Sequence, residues 1–201
     1  MAKVSIIIPA YNEEESVAVI VKELHGLYPD YEIIVVNDGS TDRTKENAQS
    51  AGARVISHPV NIGNGAAVRT GIHHATGEYL VMLDADGQHP PAEIQKIIAE
   101  LPDYDMVVGQ RTALKKLSPV RNFGNWLLIK VANFLSGKKI PDLTSGFRGF
   151  KRERVMEFVH LFPVSYSYPT TTTLLMLKYG YPVKYIPMDS IQRREKGRSQ
   201  I

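Results

Sequence analysis

Two carboxylates stand one residue apart where an apolar run ends, in the stretch LVMLDADGQHPP of residues 80–91. The i, i+2 spacing of Asp84 and Asp86 places both side chains on one face if the strand continues through them. Two carboxylates that close repel each other, and one keeps its proton unless a cation lies between them. Carboxylate and amide oxygens suit Mg²⁺ or Mn²⁺. We therefore predict a metal site of Asp84, Asp86 and Gln88, with His89 as a further ligand or a neighbour.

A diphosphate is the expected partner of such a metal, because magnesium usually binds one or two carboxylates together with substrate phosphates. The competing interpretation is an exposed acidic turn, which the preceding apolar run disfavours. No GxGxxG follows the first predicted strand and no GxxxxGK[ST] is present, so a dinucleotide fold and a P-loop are not expected. The glycine-rich GNGAAV of residues 63–68 is interpreted as a tight turn before a helix, not as a phosphate loop.

Apolar runs alternate with amphipathic stretches through the first half of the chain. Strands are predicted at residues 4–9, 31–38, 53–58, 78–86 and 104–111, with helices at 14–28, from Ser40 or Thr41, at 63–76 and from Pro90 to Leu101. This alternation predicts a largely parallel sheet covered on both faces. Ligands bind such sheets beyond the carboxyl ends of the strands, so the polar segments 9–13, 37–42 and 84–89 should share one crevice.

The second half is less regular. A helix is predicted over residues 120–135 around Trp126, either as a core helix, which is favoured, or at a membrane interface. Residues 142–150 (DLTSGFRGF) are predicted to be rich in turns. A helix at 168–179 and a strand at 181–187 complete the chain.

The composition fits one α/β domain of 201 residues. The absence of cysteine excludes disulfides and thiolate metal sites, and no stretch approaches the roughly 20 apolar residues of a membrane-spanning helix. The net charge of +3 is uneven: residues 1–110 carry 7 basic and 16 acidic residues, whereas residues 111–201 carry 17 and 5. An acidic half suits a cation, and a basic half suits phosphates or an anionic surface.

Four segments, PAYNEEES (9–16), VVNDGSTDRT (35–44), the stretch from 61 to 91, and DLTSGFRGFKR (142–152), together resemble glycosyltransferase family 2. The resemblance is closer to the polyprenyl-phosphate glycosyltransferases, such as dolichyl-phosphate mannose synthases. It implies a single GT-A domain over residues 1–201, with an α/β, mostly parallel sheet flanked by helices. Residues 1–110 would form the donor-nucleotide half and residues 111–201 the acceptor-side half.

The resemblance also implies roles for individual residues. Those expected to contact the donor nucleotide are Pro9, Tyr11, Glu13, Asp38, Asp84, Ala85, Arg111, Arg194 and Ser199. The metal is expected on Asp84 and Asp86, with Gln88 as an additional ligand. Catalytic roles fall to Asp86, to Arg111 beside the diphosphate, and to Asp142 in the acceptor-side loop.

Some positions depart from the family pattern. Asn37 replaces one of two paired acids, so that only Asp38 is carried over as acidic, and Asn64 replaces a lysine often found in the glycine turn. Gln200 stands where a terminal lysine is usual. Threonines occupy the helix 168–179 where an acidic residue is common, which suggests a subgroup with its own sugar or acceptor.

The implied reaction is an inverting transfer from a GDP- or UDP-sugar to a polyprenyl or dolichyl monophosphate. The basic half would receive the acceptor phosphate, with Arg121, Arg148, Arg194 and Arg198 as the first candidates, because guanidinium suits bidentate phosphate contact. Asp142 is expected to orient the acceptor rather than to act as a base, since a phosphate monoester with a second pKa of about 6 is already ionised.

Two other functions remain open: transfer to a saccharide hydroxyl, and a sugar-nucleotide-binding module without catalysis. A sugar-1-phosphate nucleotidyltransferase is disfavoured, because residues 9–16 are not the Gly- and Arg-rich loop such an enzyme needs. The expected location is the cytoplasmic face of a membrane, with the chain either peripheral or joined to a membrane-anchoring domain or subunit. No nucleic-acid partner is expected.

Overall fold

A computed structural model describes residues 3–111, 128–130, 132–134 and 137–188. The strands are β1 (Val4–Ala10), β2 (Glu32–Asn37), β3 (Arg54–Ser57), β4 (Tyr79–Met82), β5 (Met106–Arg111), β6 (Arg148–Lys151) and β7 (Val183–Met188). The α-helices are α1 (Val17–Leu27), α2 (Thr44–Ser50), α3 (Asn64–His74), α4 (Ile94–Glu100), α5 (Arg152–Met156) and α6 (Tyr168–Lys178). Short 3₁₀ turns lie at Pro91–Glu93 and Val159–Leu161.

The strands form one sheet in the order β3-β2-β1-β4-β6-β5-β7. β6 runs antiparallel to β4 and β5, whereas the other pairs are parallel. All seven residues of β1 are buried, as is typical of a parallel strand covered on both faces. Alternate residues of β1 enter different cores, with Ile6 and Ile8 in one and Ile7 in the other. The predicted α/β, mostly parallel sheet is confirmed.

The segment 142–150 was predicted to be rich in turns, and residues 142–147 form neither helix nor strand, but the prediction missed the strand β6, which begins at Arg148 inside the sheet. The sequence RGFK carries a weak strand signal, since glycine has low strand propensity. Packing explains the glycine: a Cβ on Gly149 would lie 2.4 Å from Ile97 Cγ2. Tertiary contact, not local propensity, therefore makes this strand.

The start of α2 and the end of β4 also differ from the prediction. α2 begins at Thr44, and Asp42 Oδ1 accepts a hydrogen bond from the Thr44 N–H. Ser40 and Thr41 do not cap it, since the residue before the helix is Arg43 and both earlier residues bond to Asn12. β4 ends at Met82.

The predicted helix 120–135 is described only at residues 128–130 and 132–134, which are helical. Ala132 packs against Ile140 and Leu143, while the side chain of Phe134 is 87% exposed. Trp126 lies outside the described residues. Within the described part of the chain, no helix has the length and hydropathy needed to cross a membrane.

Candidate functional site

A cleft opens to solvent at the carboxyl ends of β1, β2 and β4. Among the predicted site residues, those that line it are Pro9, Tyr11, Glu13, Asp38, Asp84, Ala85 and Asp86. The three segments expected to share a crevice therefore do so. The sequence did not single out Asn61 and Tyr166, which also line the cleft. No local pattern marks them, because the chain fold alone brings them there.

The loop after β1 is held rigidly against the loop after β2. Asn12 adopts a left-handed backbone conformation with φ of 54°, and its N–H donates to Ser40 Oγ at 3.0 Å. Asn12 Oδ1 accepts from the Thr41 N–H at 2.9 Å, and the Glu13 N–H donates to Thr44 Oγ1 at 2.8 Å. These bonds fix the wall of the cleft that carries Tyr11 and Glu13.

Asp84 and Asp86 lie in the turn that follows β4, so the argument that a strand places them on one face is wrong. The strand pairing stops at Met82, and the Leu83 N–H makes the last bond, to Ile7 O. Both carboxylates nevertheless border the cleft. Asp86 Oδ1 accepts from the Gln88 N–H at 2.9 Å, which ties Asp86 into the turn.

Ser16, which sequence reasoning missed, joins the first loop to this turn. Its hydroxyl donates to Ala85 O at 2.7 Å and also lies 2.9 Å from Glu13 Oε2. Only the packing of α1 beneath the turn reveals this role. The position of Asp84–Asp86 thus depends on the first loop.

The side chains at the turn fit a divalent ion. Two carboxylates border the cleft. Protein side chains alone would not complete the coordination of an ion, because the described residues contain no group of three or more His, Cys, Asp or Glu side chains placed to hold a metal. Mg²⁺ and Mn²⁺ suit such a site, since water and substrate phosphates complete their coordination. Gln88 is half-buried but does not line the cleft, so its role as a ligand remains a prediction. His89 is buried and stacks on Phe147 with 4.9 Å between ring centroids.

Asp38 is only 3% exposed and organises the loop after β3. Its carboxylate accepts hydrogen bonds from the N–H groups of Ile62 at 3.0 Å and Gly63 at 2.8 Å. His58 Nδ1 donates to Asp38 Oδ1 at 2.7 Å, and His58 Nε2 is hydrogen-bonded to Thr70 Oγ1 at 2.9 Å. Asp38 therefore builds this wall of the cleft, and its contact with a nucleoside remains a prediction.

In the glycine-rich segment 63–68, only Gly63, with φ of 124°, forms the turn before the helix, and α3 begins at Asn64. The glycines of this segment also admit the segment 163–165 at close range. A Cβ on Gly65 would lie 2.0 Å from Pro163 O, and one on Gly63 would lie 2.4 Å from Val164 O. This contact brings Tyr166 to the cleft.

The loop 142–147 lies against the turn of Asp84 and Asp86. Asp142, 8% exposed, accepts from the Thr144 and Ser145 N–H groups through Oδ1, both at 3.1 Å. Ser145 Oγ donates to Gly109 O at 2.7 Å. Gly146 faces the Asp84 carboxylate so closely that an added Cβ would lie 3.0 Å from Oδ2. The predicted donor-side and acceptor-side segments thus meet at Asp84.

Arg148 was expected at the acceptor phosphate, and this expectation is wrong. Its side chain is completely buried beneath the loop 142–147, so it cannot touch a ligand in the cleft. Burial lowers the pKa of the Arg148 guanidinium, and the nearby Tyr168, Tyr185, Asp142 and Asp84 oppose that shift. Burial, with the nearby Asp84, raises the pKa of the Tyr168 phenol.

The remaining predicted site residues cannot be placed. Arg111 is the last residue of β5, and the structure describes its backbone but not its side chain. Arg121, Arg194, Arg198 and Ser199 lie outside the described residues. Their contacts with diphosphate or acceptor remain predictions.

Comparison with known proteins gives a family and several relatives. Residues 5–158 match the model of glycosyl transferase family 2. An uncharacterised protein of Methanocaldococcus jannaschii is 32% identical over 94% of this chain and 82% of its own length. The undecaprenyl-phosphate 4-deoxy-4-formamido-L-arabinose transferase of Enterobacter sp. is 32% identical over 79% of this chain. Glycosyltransferase AglJ of Haloferax volcanii is 33% identical over 77%. The match spans 51% and 52% of these last two proteins.

Solved structures show the same fold. Glucosyl-3-phosphoglycerate synthase from Mycobacterium tuberculosis, in complex with Mg²⁺ and UDP, superposes with a TM-score of 0.80 at 20% identity, over 96% of this chain and 72% of that one. Its complex with Mn²⁺, UDP and phosphoglyceric acid gives 0.76 at 19% identity, over 96% and 71%. At this identity the likeness shows the fold alone, and the predicted GT-A fold is confirmed.

Proposed function

The chain belongs to glycosyl transferase family 2, and from that premise we propose that it moves a sugar from a GDP- or UDP-sugar to a polyprenyl or dolichyl monophosphate with inversion. The observation that carries the proposal is the meeting of Asp84 with Gly146, where the donor cleft abuts the loop 142–147. The relative named as an undecaprenyl-phosphate transferase supports the lipid acceptor.

The reaction requires one displacement at the anomeric carbon of the donor sugar. An oxygen of the lipid phosphate forms a bond to that carbon, and the bond from the carbon to the diphosphate oxygen breaks with its electron pair on the diphosphate. No proton need be removed, because the second pKa of a phosphate monoester is about 6 and the acceptor is already ionised. Positioning and electrostatic stabilisation of the leaving diphosphate are then the enzyme's main tasks.

Within this scheme, Asp84 and Asp86 would hold Mg²⁺ or Mn²⁺, with Gln88 as the additional ligand. The ion supplies neutralisation of the diphosphate charge. Ser16 and the Gln88 N–H hold the turn in place. Pro9, Tyr11, Glu13 and Asp38 form the nucleotide side of the cleft, and Asp142 orients the acceptor loop through the Thr144 and Ser145 N–H groups.

The location follows from the acceptor. A polyprenyl phosphate lies in a membrane, so the chain is proposed to work at the cytoplasmic face, peripherally or joined to a membrane domain or subunit. Flotation with vesicles containing polyprenyl phosphate measures this association, and recovery of all the protein away from the vesicles would contradict it.

The decisive experiment measures transfer of labelled sugar from GDP- and UDP-sugars to polyprenyl phosphate, and to a saccharide hydroxyl, with Mn²⁺ present. Asp86→Asn should lower transfer at least a hundredfold, since it removes one ligand charge at the same side-chain size. Asp30→Asn is the matched control, because Asp30 is exposed and away from the cleft. Transfer only to the saccharide would overturn the acceptor, and nucleotide binding without turnover would indicate a binding module.

A further inference from the structure

Arg148 is a buried cation that forms no ion pair with an acidic side chain in the described part of the chain. Its exposed fraction is 0%, and none of its contacts among the described residues is an ion pair with a carboxylate. A buried charge is costly unless it is paired or fully hydrogen-bonded. An arginine retained in such a place therefore needs explanation.

Neutral oxygens solvate the guanidinium on two sides. On the side of the loop 142–147, Arg148 Nε donates to Ser145 O at 2.9 Å, and Nη2 donates to the same oxygen. On the side of α6, the two N–H groups of Nη1 are shared among three acceptors, Pro169 O at 2.8 Å, Thr172 Oγ1 at 2.7 Å and Thr173 Oγ1 at 3.2 Å. Arg148 thus links the loop that faces Asp84 to the first turns of α6.

The two threonines are oriented to accept. Thr172 Oγ1 and Thr173 Oγ1 each donate their own proton to Pro169 O, at 3.0 and 2.9 Å. Their lone pairs are therefore left for the guanidinium. Hydroxyls satisfy its hydrogen bonds but leave its positive charge intact, whereas a carboxylate would cancel it. Arginine cannot be deprotonated in proteins, so this charge is permanent.

The Arg148 charge acts on Asp84 in the turn after β4 and on Asp142 in the loop 142–147. Asp84 and Asp142 both interact electrostatically with Arg148. Charges separated by low-dielectric protein interact more strongly than charges in water. A fixed positive charge behind Asp84 favours a diphosphate as its negative charge grows during bond breaking.

We propose that Arg148, kept unneutralised by Thr172 and Thr173, is a positioning residue that holds the loop 142–147 against Asp84 and places a fixed positive charge behind the leaving diphosphate. Arg148 does not touch the substrate. The proposal rests on the proposed function, because it assigns a source of stabilisation to the same sugar transfer. It makes the threonines of α6 determinants of rate.

The test compares Thr172→Asp with Thr172→Asn, which match in size and differ in charge. Thr172 Oγ1 lies 2.7 Å from the guanidinium, so Asp at this position would form an ion pair with it. Relative to Thr172→Asn, Thr172→Asp should lower kcat for sugar transfer about tenfold and change the donor KM little. A titration with Mn²⁺ alone should show about threefold tighter binding in Thr172→Asp, since the repulsion from Arg148 is cancelled.

Thermal unfolding shows whether either variant loses stability, and kcat and Mn²⁺ affinity separate the proposed role from a purely structural one. If Arg148 serves stability alone, the ion pair in Thr172→Asp would leave kcat and Mn²⁺ affinity equal in the two variants, and that result would overturn the proposal. If Thr172→Asp does not fold, the pair Thr173→Asp and Thr173→Asn gives the same comparison. Absence of transfer to polyprenyl phosphate in the wild-type protein would refute the proposed function, while the Mn²⁺ titration would still decide the role of the Arg148 charge.

Discussion

Gly146→Ala should disturb the metal site without unfolding the protein. The added Cβ would lie 3.0 Å from Asp84 Oδ2, 3.2 Å from Asp84 Oδ1 and 3.4 Å from Tyr168 Oη. Ordinary contacts of a Cβ begin at 3.4 Å, so the carboxylate must move by a few tenths of an ångström. Metal–ligand distances tolerate deviations of about 0.2 Å, so this shift is large enough to matter.

We expect Gly146→Ala to weaken Mn²⁺ binding about tenfold, the lower end of the effects seen when groups around metal ligands are changed. Gly146 has no positive φ, so alanine introduces no backbone strain there. Stability should therefore change by no more than about 1 kcal/mol. Isothermal titration with Mn²⁺ measures the affinity, and thermal unfolding measures the stability.

Gly26→Ala is the matched control, because a Cβ on Gly26 meets nothing within 4 Å and Gly26 lies in α1 away from the cleft. It should leave Mn²⁺ affinity unchanged and stabilise α1 by up to about 1 kcal/mol. Wild-type Mn²⁺ affinity in a folded Gly146→Ala protein would refute the reasoning that the loop 142–147 presses on Asp84.

Two further predictions concern the supports of the sheet and the turn. Ser16→Ala removes the hydroxyl bonded to Ala85 O and should cost about 1 kcal/mol of unfolding free energy by chemical denaturation and weaken Mn²⁺ binding severalfold, whereas unchanged affinity would show that the turn holds itself. Burial alone would raise the pKa of Glu32, but hydrogen bonds from Ser5, Thr76 and Arg54 outweigh it and lower that pKa. The resulting stabilisation is present above the unfolded-state pKa and is lost as the pH falls through the lower folded-state pKa. Glu32→Gln should therefore be less stable than wild type at pH 7, with the difference shrinking in acid; an equal difference at both pH values would contradict the assignment.

Most of the fold of residues 1–110 follows from local sequence. Apolar runs predict the buried strands β1 and β2, and helical spacing predicts the helices α1 and α3. Polar residues at the strand ends then fall into one cleft, because parallel strands end at the same edge of a sheet. The carboxylate pair borders this cleft even though its residues lie beyond the strand.

The parts that escaped prediction depend on contacts between segments distant in the sequence. The strand β6 contains Gly149 despite the low strand propensity of glycine, because Ile97 leaves room only for glycine at this position. Ser16 matters because its partner, Ala85 O, lies 69 residues away. Neither residue type carries a strong local preference for its role. Arg148 was predicted to bind phosphate because guanidinium suits bidentate phosphate contact, and only the threonine-rich turn of α6 explains its burial.

The burial of Arg148 also changes how the basic half of the chain should be interpreted. Lys151 Nζ and Arg154 Nε lie 3.2 and 3.7 Å from Asp105 Oδ1, and Arg152 Nε donates to Ala75 O at 3.0 Å. Arg148 and these three cations make contacts within the protein. The positively charged residues of 111–201 therefore do not all form a surface that binds phosphate.

The acceptor phosphate should instead depend on the other predicted arginines, Arg121, Arg194 and Arg198, which lie outside the described residues. Because phosphate contact needs an accessible guanidinium, changing these residues should affect the KM for polyprenyl phosphate. Changes at Arg148 should affect kcat, since its charge reaches the diphosphate only through the protein. Substitutions in the first group would then change KM, and substitutions of Arg148 would change kcat, although all of these side chains are positively charged.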